Sequence, residues 1–76
     1  MTTRRVQIDS MEKIRQFVHI MNGFSGRFDL VSGCSYVNAK SVMGVFSLDI
    51  SRPLALYIYN DENAEPVLEA IHSFEI

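Results

Sequence analysis

Alternating apolar and polar residues mark four candidate strands. Val6 and Ile8 alternate with polar neighbours between residues 4 and 9, which is the pattern of a strand with one buried face. Residues 27–31 and 36–38 alternate on either side of a Ser-Gly-Cys-Ser tetrapeptide and predict an antiparallel hairpin. Residues 54–59 place three aliphatic side chains on one face and two tyrosines on the other, which predicts the fourth strand.

Helical periodicity begins directly after the first predicted strand. Five apolar residues between positions 11 and 21 recur at spacings of three and four, and an Asn-Gly pair at 22–23 favours a helix stop. Asp9 and Ser10 can each cap this helix, and Asp9 with Glu12 three residues later forms an acidic capping box. The first helix is therefore expected to follow Asp9 and to end near residue 22.

Two further helices are predicted in the second half of the chain. Residues 40–46 are too short and too apolar to assign by periodicity alone, but Ser41 can cap a helix of two turns there. After a polar segment at 60–63, four apolar residues between Val67 and Phe74 form a helical stripe. Pro66 is tolerated in the first turn of that helix, where its missing N–H costs nothing.

The resulting order is β-α-β-β-α-β-α, an α+β fold with a four-stranded, mainly antiparallel sheet and three helices on one face. One face only is expected to be covered, because only one sheet face has enough apolar residues to bury. With 76 residues, residues 1–76 are expected to form a single domain.

Composition and charge exclude several classes of function. Seven basic against nine acidic residues give a net charge of −2, which argues against direct nucleic-acid binding. No apolar run approaches the ~20 residues that cross a bilayer, so no membrane contact is expected. A lone Cys34 and the absence of a signal-peptide pattern indicate a cytoplasmic protein.

The sequence contains none of the common catalytic or phosphate-binding motifs. GxGxxG, GxxxxGK[ST], HExxH, paired CxxC and GxSxG are all absent, and the carboxylates are scattered. His19 falls on the polar side of the first helix and His72 has no recognisable companion. We therefore expect no enzyme, no metal site and no cofactor.

One segment carries a family resemblance. Residues 39–48, which spell Ala-Lys-Ser-Val-Met-Gly-Val-Phe-Ser-Leu, resemble the second-helix motif of HPr, the histidine-containing phosphocarrier of the bacterial sugar phosphotransferase system. The element order also looks like the open-faced β-sandwich of that family. The resemblance extends backwards without a gap to the first strand and is weaker in the last third of the chain.

The resemblance implies that the phosphocarrier site of the family has been lost. The active-site loop of the family aligns with residues 10–13, so that its histidine is matched by Ser10 and its arginine by Glu12. A serine hydroxyl is a weak nucleophile without a base, and Glu12 would repel a phosphate. Lys13 is one position away from the place where it could replace the arginine. We expect no phosphoryl transfer through this site.

The regulatory serine of the family is matched by Ser41. The resemblance implies that Ser41 is phosphorylated, and that Lys40, Val42, Met43 and Phe46 form the surface that binds partners. An exposed aromatic residue beside a flexible methionine suits protein recognition. The other interpretation is that Ser41 is only a helix cap and that these apolar residues belong to the core.

Three functions remain open at this point. The first is a regulatory adaptor, similar to the catabolite-repression HPr paralogue, with an HPr-type kinase, a transcription regulator or phosphotransferase-system components as partners. The second is a phosphocarrier that uses Ser10 or His19. The third is an unmodified interaction module that dimerises through a sheet edge or the residues of the second helix. We expect a monomer or a weak homodimer.

Overall fold

A computed structural model describes residues 1–60, 62 and 64–76 of the chain. The strands are β1 (Thr2–Val6), β2 (Phe28–Ser32), β3 (Ser35–Asn38) and β4 (Leu54–Ile58), and the helices are α1 (Met11–Asn22), α2 (Val42–Phe46) and α3 (Ala64–Ala70). A short 3₁₀ turn, His72–Phe74, follows α3. Within the polar segment predicted at 60–63, residues 61 and 63 lie outside the described residues.

The four strands form one sheet in the order β1-β4-β2-β3, and every neighbouring pair is antiparallel. The predicted element order and the α+β class are confirmed. Beyond β1, the end of the chain adds a bridge between Val6 and Glu75, and the Gln7 N–H donates to the Phe74 carbonyl at 2.8 Å. These contacts cover part of an edge that would otherwise expose unpaired backbone groups.

The core lies between the sheet and the helices. Aliphatic residues 54, 56 and 58 of β4 are buried, as the alternation predicted, and α1 packs Ile14, Phe17, Val18 and Met21 beneath them. The rings of Phe17 and Phe74 meet edge to face with centroids 5.4 Å apart. This contact links α1 to the 3₁₀ turn. In the last apolar stripe Val67, Ile71 and Phe74 are buried, and Leu68 is half-buried.

Four expectations about these elements were wrong in detail. β1 covers residues 2–6 and not 4–9, although Ile8 is fully buried in the connection that follows. Met11 is 37% exposed and does not belong to the buried stripe. α2 has five residues, less than two turns. The last helix ends at Ala70, because Ile71 leaves the helical region with φ −102° and ψ 9°.

Strand β2 is buried on both faces, which its alternating sequence did not predict. Phe28 and Leu30 pack in the core, and Asp29 and Val31 are also buried although they point to the opposite face. That opposite face, here called the open face, is not covered by the described helices, whose buried residues all belong to the core on the other side of the sheet. The Asp29 carboxylate is instead contacted by Tyr59 and Arg27, the residues directly after β4 and before β2.

Candidate functional site

Ser10 is the N-cap of α1. Its backbone is extended, with φ −147° and ψ 158°, and its Oγ accepts a hydrogen bond from the Lys13 N–H at 3.2 Å. The hydroxyl thus satisfies one of the N–H groups left unpaired at the start of a helix. The described contacts of Ser10 include no base that could take its proton.

The predicted capping box of Asp9 and Glu12 is wrong. Ser10 caps the helix, and Asp9 instead accepts a hydrogen bond at 3.0 Å from the ammonium group of Lys13, four residues later. This hydrogen bond, together with the positive charge of Lys13, lowers the pKa of Asp9 below its usual value. Glu12 is exposed in the first turn. Lys13, a cation at this end of α1, is therefore already paired with Asp9.

Ser41 is the N-cap of α2. Its Oγ accepts a hydrogen bond from the Gly44 N–H at 3.1 Å, and its own N–H donates to the Asn38 carbonyl at 3.0 Å. The side chain is half-buried. Ser41 as a cap is therefore confirmed.

The surface beside Ser41 is apolar and exposed. Met43 is 75% exposed and Phe46 is 51% exposed, while Val42 is half-buried against the core. We call Val42, Met43 and Phe46 the α2 patch. The interpretation that all these residues are core is wrong for Met43 and Phe46; Val45, which points the other way, is the fully buried residue of α2.

Lys40 is held by the neighbouring loop and is not a free surface lysine. Its Nζ donates to the Phe24 carbonyl at 2.6 Å and lies 5.3 Å from the centre of the Phe28 ring. Its carbonyl accepts a hydrogen bond at 3.1 Å from the side-chain amide of Asn22, the last residue of α1. Lys40 therefore fixes α2 against the end of α1, and its contribution to partner binding stays a prediction.

The two histidines lie apart from these serines. His19 is exposed on α1, as predicted, and His72 is 85% exposed with its Nδ1 3.7 Å from a carboxylate oxygen of Glu75. Among residues 1–60, 62 and 64–76, no group of three or more His, Cys, Asp or Glu side chains could hold a metal ion. No helix in the same residues is long and apolar enough to cross a membrane.

Sequence reasoning missed a polar cluster on the open face. Asp29 is only 6% exposed, and its Oδ2 accepts hydrogen bonds from the Tyr59 hydroxyl at 2.9 Å and from Arg27 at 3.2 Å. The Arg27 guanidinium lies 5.1 Å from the centre of the Tyr59 ring. Burial raises the pKa of Tyr59, and the Asp29 carboxylate adds to that effect. The alternation of Tyr57 and Tyr59 along residues 54–59 was the signal that could have located this cluster.

Comparison with known proteins supports the fold through structure and not through sequence. No protein-family model matches the chain, and no curated protein matches it in sequence. Solved structures do match. HPr-C-His from Thermoanaerobacter tengcongensis has a TM-score of 0.80 and 25% identity over 96% of this chain and 89% of its own. A phosphocarrier protein HPr from Bacillus anthracis str. Ames has a TM-score of 0.78 and 27% identity over 99% of this chain and 96% of its own.

Proposed function

Because the chain is an HPr-like domain, we propose that it is a regulatory or adaptor protein related to the sugar phosphotransferase system. It works through protein–protein contacts of the α2 patch, and phosphorylation of Ser41 controls those contacts. Residues 1–76 act as a single domain. The observation that carries the proposal is that Ser41 Oγ caps α2 at the border of an exposed apolar surface.

A phosphate on Ser41 would change the α2 patch without unfolding the domain. The γ-phosphoryl group of ATP would pass to Oγ, with ADP as the leaving group and the hydroxyl proton released to the kinase or to water. The new group carries a charge of about −1.5 to −2 and can accept the Gly44 N–H in place of the hydroxyl. Met43 and Phe46 would then lie beside a dianion, so a partner that binds only the apolar form would be displaced.

The start of α1 does not favour a phosphocarrier. A carrier needs a nucleophile that holds a phosphoryl group and a positive charge that stabilises it. Ser10 Oγ is hydrogen-bonded to a backbone N–H, Glu12 adds a negative charge, and Lys13 is paired with Asp9. We therefore propose that Ser10 has a structural role in place of the phosphoryl-accepting role of the family.

Incubation of the purified chain with an HPr-type kinase and ATP tests the proposal. Intact-mass spectrometry should show the addition of one phosphoryl group, and it should disappear in Ser41→Ala. Because this substitution also removes a helix cap, Ser41→Asn is the sharper variant: asparagine caps a helix well but offers no hydroxyl. Ser47 lies at the other end of α2, with its Oγ donating to the Gly44 carbonyl at 2.6 Å, so Ser47→Ala is the matched control and should remain a substrate. Phosphorylation of Ser41→Asn, or none of the wild type, would contradict the proposal.

The α2 patch is tested with the same kinase. Met43→Glu places a charge on a side chain that is 75% exposed, so the melting temperature should change little. If the patch binds the kinase, kcat/KM should fall at least about tenfold, which is about 1.4 kcal/mol of lost binding. Ile76, 62% exposed, is the control position: Ile76→Glu should leave kcat/KM unchanged.

Transfer from phosphoenolpyruvate separates the phosphocarrier from the adaptor. With the general phosphotransferase enzyme, the adaptor should acquire no label, whereas transfer through His19 would give an acid-labile phosphohistidine that disappears in His19→Gln. Label on Ser10 would survive acid and disappear in Ser10→Ala.

The unmodified dimerisation module is tested by light scattering over a concentration series. A mass that rises toward that of the dimer in the wild type, and that stays lower in Phe46→Ala, would favour this module.

A further inference from the structure

The open face of the sheet carries a second surface, which lies on the opposite side of the sheet from α2. Strand register places Arg5 opposite Ala55, Ala55 opposite Val31, and Val31 opposite Tyr36. Directly opposed residues in antiparallel strands point to the same face. A row of one arginine, two small apolar residues and one tyrosine therefore crosses all four strands.

A cleft of about 500 Å³ opens at the Arg5 end of this row. We call it the arginine cleft; it is lined by Arg5, Val31, Arg52, Pro53 and Ala55, together with the β2–β3 turn and Asp49. Two arginines thus line a cleft that also has an aliphatic lining. Such a lining suits a ligand with a negative charge and an apolar body.

The positive charge in the arginine cleft is only partly neutralised. Arg5 has no ion pair or side-chain hydrogen bond in the part of the chain that the structure describes. The Arg52 Nε lies 3.8 Å from Asp49 Oδ2, a long contact between exposed groups, and Asp49 Oδ1 is already occupied by the Ser51 N–H and hydroxyl. Two guanidinium groups and one carboxylate leave the cleft positive, although the chain as a whole has a net charge of −2.

From this charge and shape we propose that the arginine cleft binds an acidic peptide segment of a partner protein. A glutamate or aspartate side chain would take a two-pronged hydrogen bond from Arg5 or Arg52, and a neighbouring apolar side chain would lie on Val31, Pro53 and Ala55. Arginine favours this geometry because its planar fork matches a carboxylate.

A single-stranded nucleic acid fits the open face less well. Stacked bases need aromatic rings with free, similarly oriented faces. Here the Tyr36 and Tyr57 rings stand at 85° to each other, and Arg27 lies over the ring of Tyr59. The excess of acidic over basic residues in the chain also opposes binding to a phosphate backbone.

An NMR titration with defined peptides tests this proposal. The probe is an acetylated hexapeptide of alternating glutamate and phenylalanine, and the comparison peptide has glutamine in place of glutamate. We expect the backbone amide signals of Val31 and Ala55 to shift with the acidic peptide and those of Met43 and Phe46 to stay unchanged. Arg5→Gln and Arg52→Gln should each weaken binding about tenfold, whereas Arg15→Gln, which removes an exposed arginine of α1, should not.

Several results would overturn the proposal. With the peptides, these results are equal binding of the glutamine and glutamate peptides, or signal shifts centred on Met43 and Phe46. With the variants, it is a loss of affinity in Arg15→Gln as large as in the cleft variants. Tighter binding of an oligothymidylate than of the acidic peptide, or self-association of the chain through the open face, would also overturn it. Equal shifts with inorganic phosphate would also contradict a peptide site, because phosphate has no apolar part to contact the aliphatic lining. The wild-type shift map alone decides between these outcomes if an arginine variant fails to fold.

Discussion

Ser10 and Ser41 occupy equivalent positions, each at the N-cap of a helix, but their surroundings give them different roles. Ser10 is exposed next to the Asp9–Lys13 ion pair, whereas Ser41 is half-buried between β3 and an exposed apolar surface. A phosphate at Ser41 would change a surface that partners can contact. The difference lies in the neighbours of the two serines and not in their backbone geometry.

The structural role of Ser10 gives a stability prediction. Ser10→Ala removes the acceptor of the Lys13 N–H and should lower the free energy of unfolding by ~1 kcal/mol, since an N-cap is typically worth about that much. Ser10→Asn should restore most of the loss. Chemical denaturation with an unchanged m-value measures both, and an Asn variant no more stable than the Ala variant would show that capping is not what Ser10 contributes.

The Tyr59 hydroxyl should titrate above its usual pH range. Burial and the Asp29 carboxylate both disfavour the phenolate and raise the pKa of Tyr59 above the ordinary value of 10.0. A tyrosine whose pKa is higher in the folded than in the unfolded state stabilises the fold below the unfolded pKa. That stabilisation is lost as the pH rises from about 10 through the folded pKa.

NMR of the tyrosine ring carbons can follow this titration residue by residue. Asp29→Asn removes the negative charge next to the phenol and should lower the pKa of Tyr59, but it should stay above the ordinary value because burial is the larger cause. Tyr36 provides an internal comparison: its pKa is raised chiefly by the charge of Tyr57, so it should move in Tyr57→Phe. An unchanged Tyr59 titration in Asp29→Asn would contradict the hydrogen bond at 2.9 Å.

At the scale of elements, the β2–β3 hairpin depends on one glycine. Ser32 and Ser35 are paired across a two-residue loop, and Gly33, the first loop residue, has φ +59°. A positive φ at the first loop residue together with a negative φ at the second is typical of a type II′ turn, which favours glycine at the first of these positions. Nothing lies within 4 Å of a Cβ built on Gly33, so a substitution would act through backbone strain alone.

Gly33→Ala should therefore destabilise the protein by ~1–2 kcal/mol, the cost of placing a Cβ in the left-handed region. Cys34→Ala is the matched control, because Cys34 is exposed and has a negative φ. Urea denaturation of the two variants measures the difference. Equal stabilities would mean that the turn adapts without strain.

An element could be predicted where the pattern of its own residues determines its bounds and its buried face, and not where contacts with distant residues determine them. The alternation of β4 and the stripe of α1 predicted their buried faces, because those faces pack on one continuous core. The end of α3 could not be predicted, since Phe74 is buried through its contact with Phe17, far away in the sequence. The burial of Asp29 was missed for the same reason: its partner Tyr59 is 30 residues away.

At the scale of the whole molecule, the two sides of the sheet offer two different surfaces. The helix side presents the α2 patch with Ser41, which the sequence motif at 39–48 predicted. The open side presents the arginine cleft, which no motif predicts because its residues come from β1, β2, the β2–β3 turn, β4 and the loop before β4. Only strand order brings those residues together, so the cleft became visible only in three dimensions.

A comparison of two phenylalanines connects stability with the proposed function. Phe74 is 7% exposed and closes the core against Phe17, whereas Phe46 is 51% exposed in the α2 patch. Phe74→Ala should cost ~3–5 kcal/mol through lost burial and a cavity. A folded chain of 76 residues has a total stability of roughly 4–11 kcal/mol, at about 0.05–0.15 kcal/mol per residue, so this variant should lose a large share of it.

Phe46→Ala should cost no more than ~0.5 kcal/mol, because surface residues outside caps and ion pairs contribute little to stability. The same variant should still lower kcat/KM with the HPr-type kinase. Thermal unfolding and the kinase assay should therefore separate the two phenylalanines: Phe74 should matter for the fold, and Phe46 for the proposed binding. If Phe46→Ala destabilised the protein as much as Phe74→Ala, the α2 patch would belong to the core and could not serve as the docking surface beside Ser41.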